Sequence, residues 1–281
     1  MYFFIKQVFC LIGPLLLFLL IACTGGEKKS NRQGKEKITI AGAANIKFAL
    51  RAIEKVFEES SGIEADIVIA SSGKLTAQIK QGAPYDIFLA ANLKYPRSLY
   101  EEGFATTPPK IYALGSLVVW TMNKEINLSS DLSFLIQPAI KHIGIANPKN
   151  APYGAQAIAA INYHELQEKI KNKLVYGENI AQVNQYVMSQ NCEIGITAKS
   201  IVVDPKLQQK GKWKEINPAA YAPITQGVVI TKFGQKNHKR AALAFYNFLS
   251  SRKAQQIFSD YGYSMPPIEE KKLESIESSV Q

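Results

Sequence analysis

From residue 38 onward, short apolar runs alternate with longer amphipathic segments, and this alternation constrains the fold more than any other feature of the chain. Residues 38–41 form one apolar run, and residues 46–57 then repeat apolar side chains at helical spacing. Further strands are predicted at 66–70, 85–90, 116–120, 141–146, 174–176, 192–198 and 224–231, and further helices at 75–79, 153–161, 180–187, 237–249 and 253–261. Repeated strand–helix units predict an α/β fold, with a mostly parallel sheet that helices cover on both faces.

With 281 residues, the chain is long enough for one large domain or for two of ordinary size. Hydrophobic residues make up 47% and charged residues 20%, a composition that supports a packed core and excludes disorder or a coiled coil as the main state. Because the strand–helix pattern occurs in both halves of the chain, we expect two lobes.

The N-terminal sequence predicts that the protein is exported. Residues 11–22 form an apolar run, which Gly13 and Pro14 interrupt and which a single charge, Lys6, precedes. The run is shorter than the about 20 apolar residues of a transmembrane helix, and it is typical of the core of a secretory signal.

Residues 20–23 read Leu-Ile-Ala-Cys and resemble a bacterial lipobox, in which the cysteine becomes the lipidated first residue of the mature protein. The segment after it is rich in Gly, Lys and Ser, a composition that does not pack. We therefore expect a signal peptide at 1–22, a flexible tether at 23–36, and a protein that lipidated Cys23 holds at a membrane it does not cross. The alternative is an ordinary signal peptide cut nearby.

The charge balance favours anionic ligands, since 33 Lys and Arg stand against 23 Asp and Glu, a net charge of +10. The basic clusters at 168–173 and 206–214 are interpreted as solvated faces rather than as a nucleic-acid surface.

Three Cys and three His are too few and too scattered for a zinc or disulfide framework. No metal centre is predicted.

Four predicted helices begin with small or helix-capping residues directly after a strand. These starts lie at 42–45, 70–73, 147–154 and 177–179. Each such residue alone is an ordinary cap. Together they predict an anion site, because helix N-termini carry unpaired N–H groups and meet at the carboxyl edge of a parallel sheet.

Three blocks of sequence carry a family resemblance. Residues 37–45 read Lys-Ile-Thr-Ile-Ala-Gly-Ala-Ala-Asn, residues 70–75 read Ala-Ser-Ser-Gly-Lys-Leu, and residues 81–92 read Gln-Gly-Ala-Pro-Tyr-Asp-Ile-Phe-Leu-Ala-Ala-Asn. With further matches up to residue 263, the chain resembles the periplasmic molybdate-binding proteins of ABC importers, in the branch that carries Ala-Ala-Asn.

The resemblance implies a two-lobed periplasmic-binding-protein fold of type II, each lobe a mostly parallel sheet flanked by helices. We expect lobe one at 37–115 plus 222–266, lobe two at 116–221, and a polar tail at 267–281.

The resemblance also implies a set of ligand-binding residues, namely Ala44, Asn45, Ser72, Tyr153 and Ile180. Asn45 stands where many relatives carry Ser, and Ala198 where some carry a binding Tyr. We expect Tyr153 to supply the missing hydroxyl, Asn45 its side-chain amide, Ser72 its hydroxyl and Ile180 its N–H, all to the oxygens of the anion.

The function that the resemblance implies is capture of molybdate or tungstate and delivery to an ABC importer permease by a monomeric lipoprotein without a cofactor. A set of donors without Asp or Glu suits a fully ionised oxyanion better than phosphate, which keeps a proton near neutral pH. The alternatives on the same fold are sulfate, another oxyanion, an organic solute or iron.

No enzymatic activity is predicted. Ser72 lacks the setting of a nucleophile elbow, and the sequence reveals no partner for His142, His164 or His238. Walker A and Gly-x-Gly-x-x-Gly motifs are absent from the sequence, which argues against nucleotide binding.

Overall fold

The structure is a computed structural model, and it describes residues 36–207 and 209–265. Its strands are short and mostly buried. They are β1 (Lys37–Ala43), β2 (Glu64–Ala70), β3 (Ile87–Ala90), β4 (Lys110–Gly115), β5 (Leu117–Thr121), β6 (Ile143–Ala146), β7 (Leu174–Gly177), β8 (Ile194–Ala198), β9 (Lys212–Glu215) and β10 (Ile224–Ile230).

The strands form two five-stranded sheets with the orders β2–β1–β3–β10–β4 and β7–β6–β8–β5–β9. In the first sheet β10 runs antiparallel to both of its neighbours, and in the second β5 does the same, while the other strands of each sheet run parallel. The predicted mostly parallel α/β architecture of two lobes is therefore confirmed.

Helices cover both faces of the sheets. They are α1 (Lys47–Ser61), α2 (Ser72–Lys80), α3 (Lys94–Glu101), α4 (Pro152–Tyr163), α5 (Gln167–Ile170), α6 (Ile180–Met188), α7 (Lys199–Val202), α8 (Lys232–Asn237), α9 (Lys239–Phe248) and α10 (Arg252–Asp260). Short 3-10 turns lie at Ala44–Ile46, Ser133–Ile136, Lys171–Lys173 and Pro218–Ala220. Gly62 ends α1 in the left-handed conformation, with φ of 70°, and its N–H donates to the carbonyl of Glu58.

Each lobe has its own core. In lobe one, Phe57 of α1, Phe245 of α9 and Phe258 of α10 pack in one cluster. Leu75 of α2 and Leu99 of α3 pack in another cluster of the same lobe. A third cluster fills lobe two between its sheet, α4 and α6, and includes Ala43, Ala44 and Ala91 of lobe one. Because the greater part of each core lies within one lobe, the lobes can move as two bodies about the chain segments that connect them.

Those connections are two crossovers. The first passes through Ser116, between β4 of one sheet and β5 of the other, and the second runs through residues 216–223 to β10. They touch each other, since the N–H of Leu117 donates to the hydroxyl of Tyr221 at 3.1 Å. The domain limits expected from the sequence stay a prediction.

The helix predicted at 237–249 is interrupted. The backbone of His238 is not helical, with φ of −135°, and its Nδ1 lies 2.8 Å from Oδ1 of buried Asp86. Asp86 also accepts from the N–H of Thr39 at 2.7 Å. The sequence reveals no partner for His238 because this hydrogen-bond partner lies 152 residues away along the chain, within the same lobe.

Strands β4 and β9 and helices α3, α5, α7 and α8 were not predicted. Each is at most eight residues long, so tertiary contacts contribute more than local sequence to their conformation. The predicted signal peptide, Cys23, most of the tether and the tail lie outside the described residues. In the described part of the chain, no helix is both long and apolar enough to cross a membrane.

Candidate functional site

A small cavity of about 10 Å³ lies between the two lobes, where α2 of lobe one faces α4 and α6 of lobe two. Its lining consists of Ala43, Ala44, Asn45, Ser71, Ser72, Ala91, Ala151, Pro152, Tyr153, Asn179 and Ile180. All five predicted ligand-binding residues are in this set, and each is at most 3% exposed. No lining residue is charged.

In lobe one, the start of α2 presents one backbone donor to the cavity. Ser71 caps the helix by accepting from the N–H of Lys74 at 3.4 Å, and the N–H of Gly73 donates to Asn150 across the cleft. The N–H of Ser72, at the first helical position, has no acceptor within the helix. The hydroxyl of Ser72 accepts from the N–H of Ala91 at 3.0 Å, which leaves its own proton available to a ligand.

Helix α6 of lobe two repeats this arrangement. The side chain of Asn179 accepts from the N–H groups of Ala181 at 2.9 Å and Gln182 at 3.3 Å. The carbonyl of Asn179 accepts from Val183. The N–H of Ile180, the first residue of the helix, has no acceptor among the described residues and lies at the cavity.

Helix α4 adds a third donor. Pro152, its first residue, has no N–H, and the carbonyl of Ala151 accepts from the N–H groups of Gly154 and Ala155. Tyr153 follows Pro152 in the first turn of the helix, and its N–H has no acceptor within residues 36–207 and 209–265. Caps and local bonds thus use the other donors of each helix start and leave one N–H at the cavity.

The side chain of Asn45 is engaged elsewhere than expected. Its Nδ2 donates to Oε1 of Gln226 and to the hydroxyl of Tyr263, both at 2.9 Å, so both amide hydrogens are used within the protein. Asn45 lies in the 3-10 turn that follows β1, a turn without a side-chain cap. Its backbone N–H is the donor that Asn45 can offer to an anion.

The hydroxyl of Tyr153 is likewise engaged within the protein, although it was expected to face the ligand. It accepts from Nε2 of Gln226 at 3.2 Å, and the position of a Cβ on Gly115 would be 2.0 Å from it. Neither Gln226 nor Gly115 lines the cavity. Ala198, which stands where some relatives carry a binding Tyr, is buried and does not line the cavity.

Contacts between the lobes close the cavity at its rim. The N–H of Gly73 donates to the carbonyl of Asn150 at 2.9 Å, and Nζ of Lys74 lies 2.8 Å from Oε1 of Glu178. The side chains of that ion pair are about half exposed, so the pair adds little to closure. The hydroxyl of Tyr95 also donates across the rim, to the carbonyl of Lys149 at 3.4 Å.

The structure brings the predicted residues together at one cavity, and their role in binding stays a prediction. Gln226, Asn150 and Ala91 were missed. One feature of the sequence could have indicated a role for Gln226, namely that it is a polar residue inside the apolar run of β10. Nothing local to Asn150 or Ala91 indicates a role, because each acts through a single backbone atom.

Two five-stranded lobes around an enclosed, uncharged cavity define a protein of the two-lobed solute-binding class. Residues 38–264 match the family described as bacterial extracellular solute-binding protein. The chain is 35% identical to the molybdate-binding protein ModA of Azotobacter vinelandii, over 88% of this chain and 97% of that protein. It is 32% identical to ModA of Rhodobacter capsulatus, over 81% of this chain and 88% of that protein.

Among solved structures, the periplasmic molybdate-binding protein of A. vinelandii superimposes with a TM-score of 0.77 at 28% identity, over 82% of this chain and 99% of that chain. The chain therefore belongs to the family of bacterial extracellular solute-binding proteins, in its ModA group.

Proposed function

We propose that this protein captures molybdate or tungstate outside the cytoplasm and delivers it to an ABC importer. Relatives that are 35% and 32% identical are molybdate-binding proteins. The observation that carries the proposal is the convergence of unpaired N–H groups from Asn45, Ser72, Tyr153 and Ile180 on one buried cavity.

The chemistry of the lining suits a fully ionised oxyanion. A dianion that leaves water loses several kcal/mol or more of solvation, which protein donors must replace. Four N–H groups and the hydroxyl of Ser72 supply donors from both lobes, and the helix N-termini add a favourable potential. Because no charged side chain lines the cavity, the ligand needs no counter-ion and can be released without breaking an ion pair.

The same lining argues against the alternatives. Phosphate near neutral pH carries a proton that needs an acceptor, and no carboxylate lines the cavity. A cavity volume of about 10 Å³ is far below the about 300–1,000 Å³ of sites for drug-sized molecules, which disfavours an organic solute. Within the described residues, no three His, Cys, Asp or Glu side chains lie together as metal ligands, so an iron site built from those ligands has no support. Sulfate differs from molybdate in size alone and is left to experiment.

The proposed role is transport without chemistry on the ligand and without a cofactor. Closure of the lobes about the two crossovers would bury the anion, and the closed monomer would dock on the permease.

A thermal-shift series on the purified protein tests this function, with molybdate, tungstate, sulfate, phosphate and ferric citrate. At a concentration 100 times the Kd, ligand linkage should raise the Tm by roughly 5–10 °C for a protein of this size. We expect that rise with molybdate and tungstate and little change with the others. A rise only with sulfate or phosphate would reassign the ligand, and no rise with any oxyanion would refute the proposal.

Ser72→Ala should weaken molybdate binding by about 10- to 150-fold, since it removes a hydrogen bond to a charged ligand worth about 1.5–3 kcal/mol. Calorimetric titration measures the Kd. Ser251→Ala is the matched control, because Ser251 caps α10 far from the cavity by accepting from Ala254 at 3.2 Å. Equal affinities of the Ser72 variant and the wild type would remove Ser72 from the site.

We also propose that Cys23 carries the lipid anchor, on the lipobox-like sequence at 20–23. In cells grown with a labelled fatty acid, the wild type should take up label and Cys23→Ser should not. Cys192→Ser is the control that should keep the label, since Cys192 is buried in lobe two. Label retained by the Cys23 variant would exclude lipidation at this residue.

A further inference from the structure

A buried polar cluster lies directly behind the cavity. It consists of Asn45, Tyr112, Tyr153, Gln226 and Tyr263, each less than 5% exposed, and we call it the amide–tyrosine cluster. It contains no charged group. Three of its members, Tyr112, Gln226 and Tyr263, do not line the cavity. The cluster therefore contributes to any ligand site only through the residues that it holds.

Gln226 is the centre of this cluster and uses both ends of its amide. Its Oε1 accepts from Nδ2 of Asn45 at 2.9 Å and from the hydroxyl of Tyr112 at 3.1 Å. Its Nε2 donates to the hydroxyl of Tyr153 at 3.2 Å. Gln226 has 0% exposure, so these bonds have no competition from water.

The two residues that Gln226 bonds at the cavity belong to different lobes. Asn45 is in the turn that precedes α1 of lobe one, and Tyr153 is in the first turn of α4 of lobe two. The bond from Gln226 to Tyr153 thus joins the two lobes, as the contact at Gly73 does.

Local features of β10 and β4 make this bond possible. The pairing of β10 with β4 is irregular between Gln226 and Gly227, and such a bulge re-aims the neighbouring side chain. A Cβ on Gly115 of β4 would lie 2.0 Å from Oη of Tyr153 and 2.7 Å from Nε2 of Gln226. Only glycine at 115 leaves room for the tyrosine of lobe two to reach the amide of lobe one.

Asn45 is held by further groups from both lobes. Its carbonyl accepts from the hydroxyl of Ser200 in α7 of lobe two at 2.8 Å and from that of Tyr263 at 3.1 Å. Burial raises the pKa of Tyr112 and of Tyr153 well above the ordinary range, so both phenols stay neutral. The cluster therefore holds Asn45 without placing a negative charge behind the anion.

On the basis of the function proposed above, we propose that Gln226 is a positioning residue of the anion site, which holds Asn45 of lobe one and Tyr153 of lobe two in their closed arrangement. The donors at the cavity are backbone N–H groups, and their separation depends on how the lobes meet. Loss of the amide should therefore open the cleft more often and speed release of the anion, while the approach of the anion to the open form stays unchanged.

Gln226→Met tests this role, because methionine has a similar length and makes none of these hydrogen bonds. On the purified full chain, calorimetry gives the Kd for molybdate, and stopped-flow displacement gives the release rate. We expect both to rise about tenfold, with the association rate unchanged, because only one of the three lost hydrogen bonds, that to Tyr153, joins the two lobes. Thr197→Val is the control: it removes the buried bond from Thr197 to Asn184 within lobe two and should leave both values as in the wild type.

A second variant, Tyr153→Phe, removes the hydroxyl that Gln226 bonds and keeps the N–H at the cavity. The Tyr153 hydroxyl also bonds Tyr263, so each variant loses bonds of its own besides the shared one. If the two residues act through their shared bond, the double variant should lose less affinity than the product of the two single losses. A stability role alone would lower the Tm of the ligand-free variants without changing release.

The outcomes separate the two proposals. If the wild type binds molybdate and both single variants bind it equally well, Gln226 has no positioning role. Independent, multiplicative losses in the double variant would overturn the inference in the same way. If the wild type binds no oxyanion at all, the proposed function fails and the positioning role fails with it.

Discussion

Ile180→Pro should weaken molybdate binding by about 10- to 150-fold and leave the fold intact. Proline removes the single N–H that Ile180 presents to the cavity, a hydrogen bond to a charged ligand worth about 1.5–3 kcal/mol. The first position of a helix tolerates proline, and Asn179 before it is already extended, with φ of −155° and ψ of 178°. The capping bonds of Asn179 to Ala181 and Gln182 do not involve the deleted group.

Ile180→Val is the matched control, because valine is close to proline in size and keeps the N–H. Calorimetric titration should give nearly the wild-type Kd for the valine variant and a much weaker one for the proline variant. Circular dichroism and the Tm of the ligand-free proteins would check that α6 still forms. Equal loss in both variants would mean that packing of Ile180, rather than its N–H, matters for binding.

Gly73→Ala should weaken binding and, at the same time, leave the ligand-free protein as stable as the wild type or more so. A Cβ at this position would lie 3.0 Å from Cα and from the carbonyl oxygen of Asn150, and 3.0 Å from the hydroxyl of Tyr95. The lobes would have to separate to relieve this contact, at a cost of about 1–3 kcal/mol to the closed form, or about 5- to 150-fold in Kd. Within α2, alanine is the better helix former by about 1 kcal/mol.

A loss of affinity without a loss of stability in Gly73→Ala would distinguish hindered closure of the lobes from destabilisation of the fold. Gly144→Ala is the control: it adds a methyl group at 3.4 Å from atoms of Cys192 and Val183 inside lobe two, away from the rim. Small-angle scattering with saturating molybdate should detect compaction of the control and less compaction of the Gly73 variant. Full compaction with unchanged affinity would show that the rim does not limit closure.

Much of the fold follows from local patterns. The apolar period of α1 and its glycine end, the buried strands and the two βα-rich halves were all predictable, because strand and helix periods depend on near neighbours. The interruption at His238 was not, since its partner Asp86 lies 152 residues away. Short elements such as β9 have too few residues to carry a period.

The residues of the candidate site also differ in how far the sequence could predict them. Ser72, Tyr153 and Ile180 were named from the family resemblance, and local sequence supports them because each lies in the first turn of a helix, where Ser71, Pro152 and Asn179 mark the helix starts. The side chains of Asn45 and Tyr153 were expected to face the ligand, yet both bond Gln226, which is 181 and 73 residues away. No local pattern could show that these polar groups were already used.

The sequence by itself determined most of the longer strands and helices, the helix starts beside the cavity, and that the residues at those starts are uncharged. These properties depend on residue type and on neighbours a few positions apart. Only the tertiary structure decided which donors stay free for an anion and which hold the two lobes together. The reason is that each donor satisfies a limited number of hydrogen bonds, and distant residues that pack against it determine how many remain.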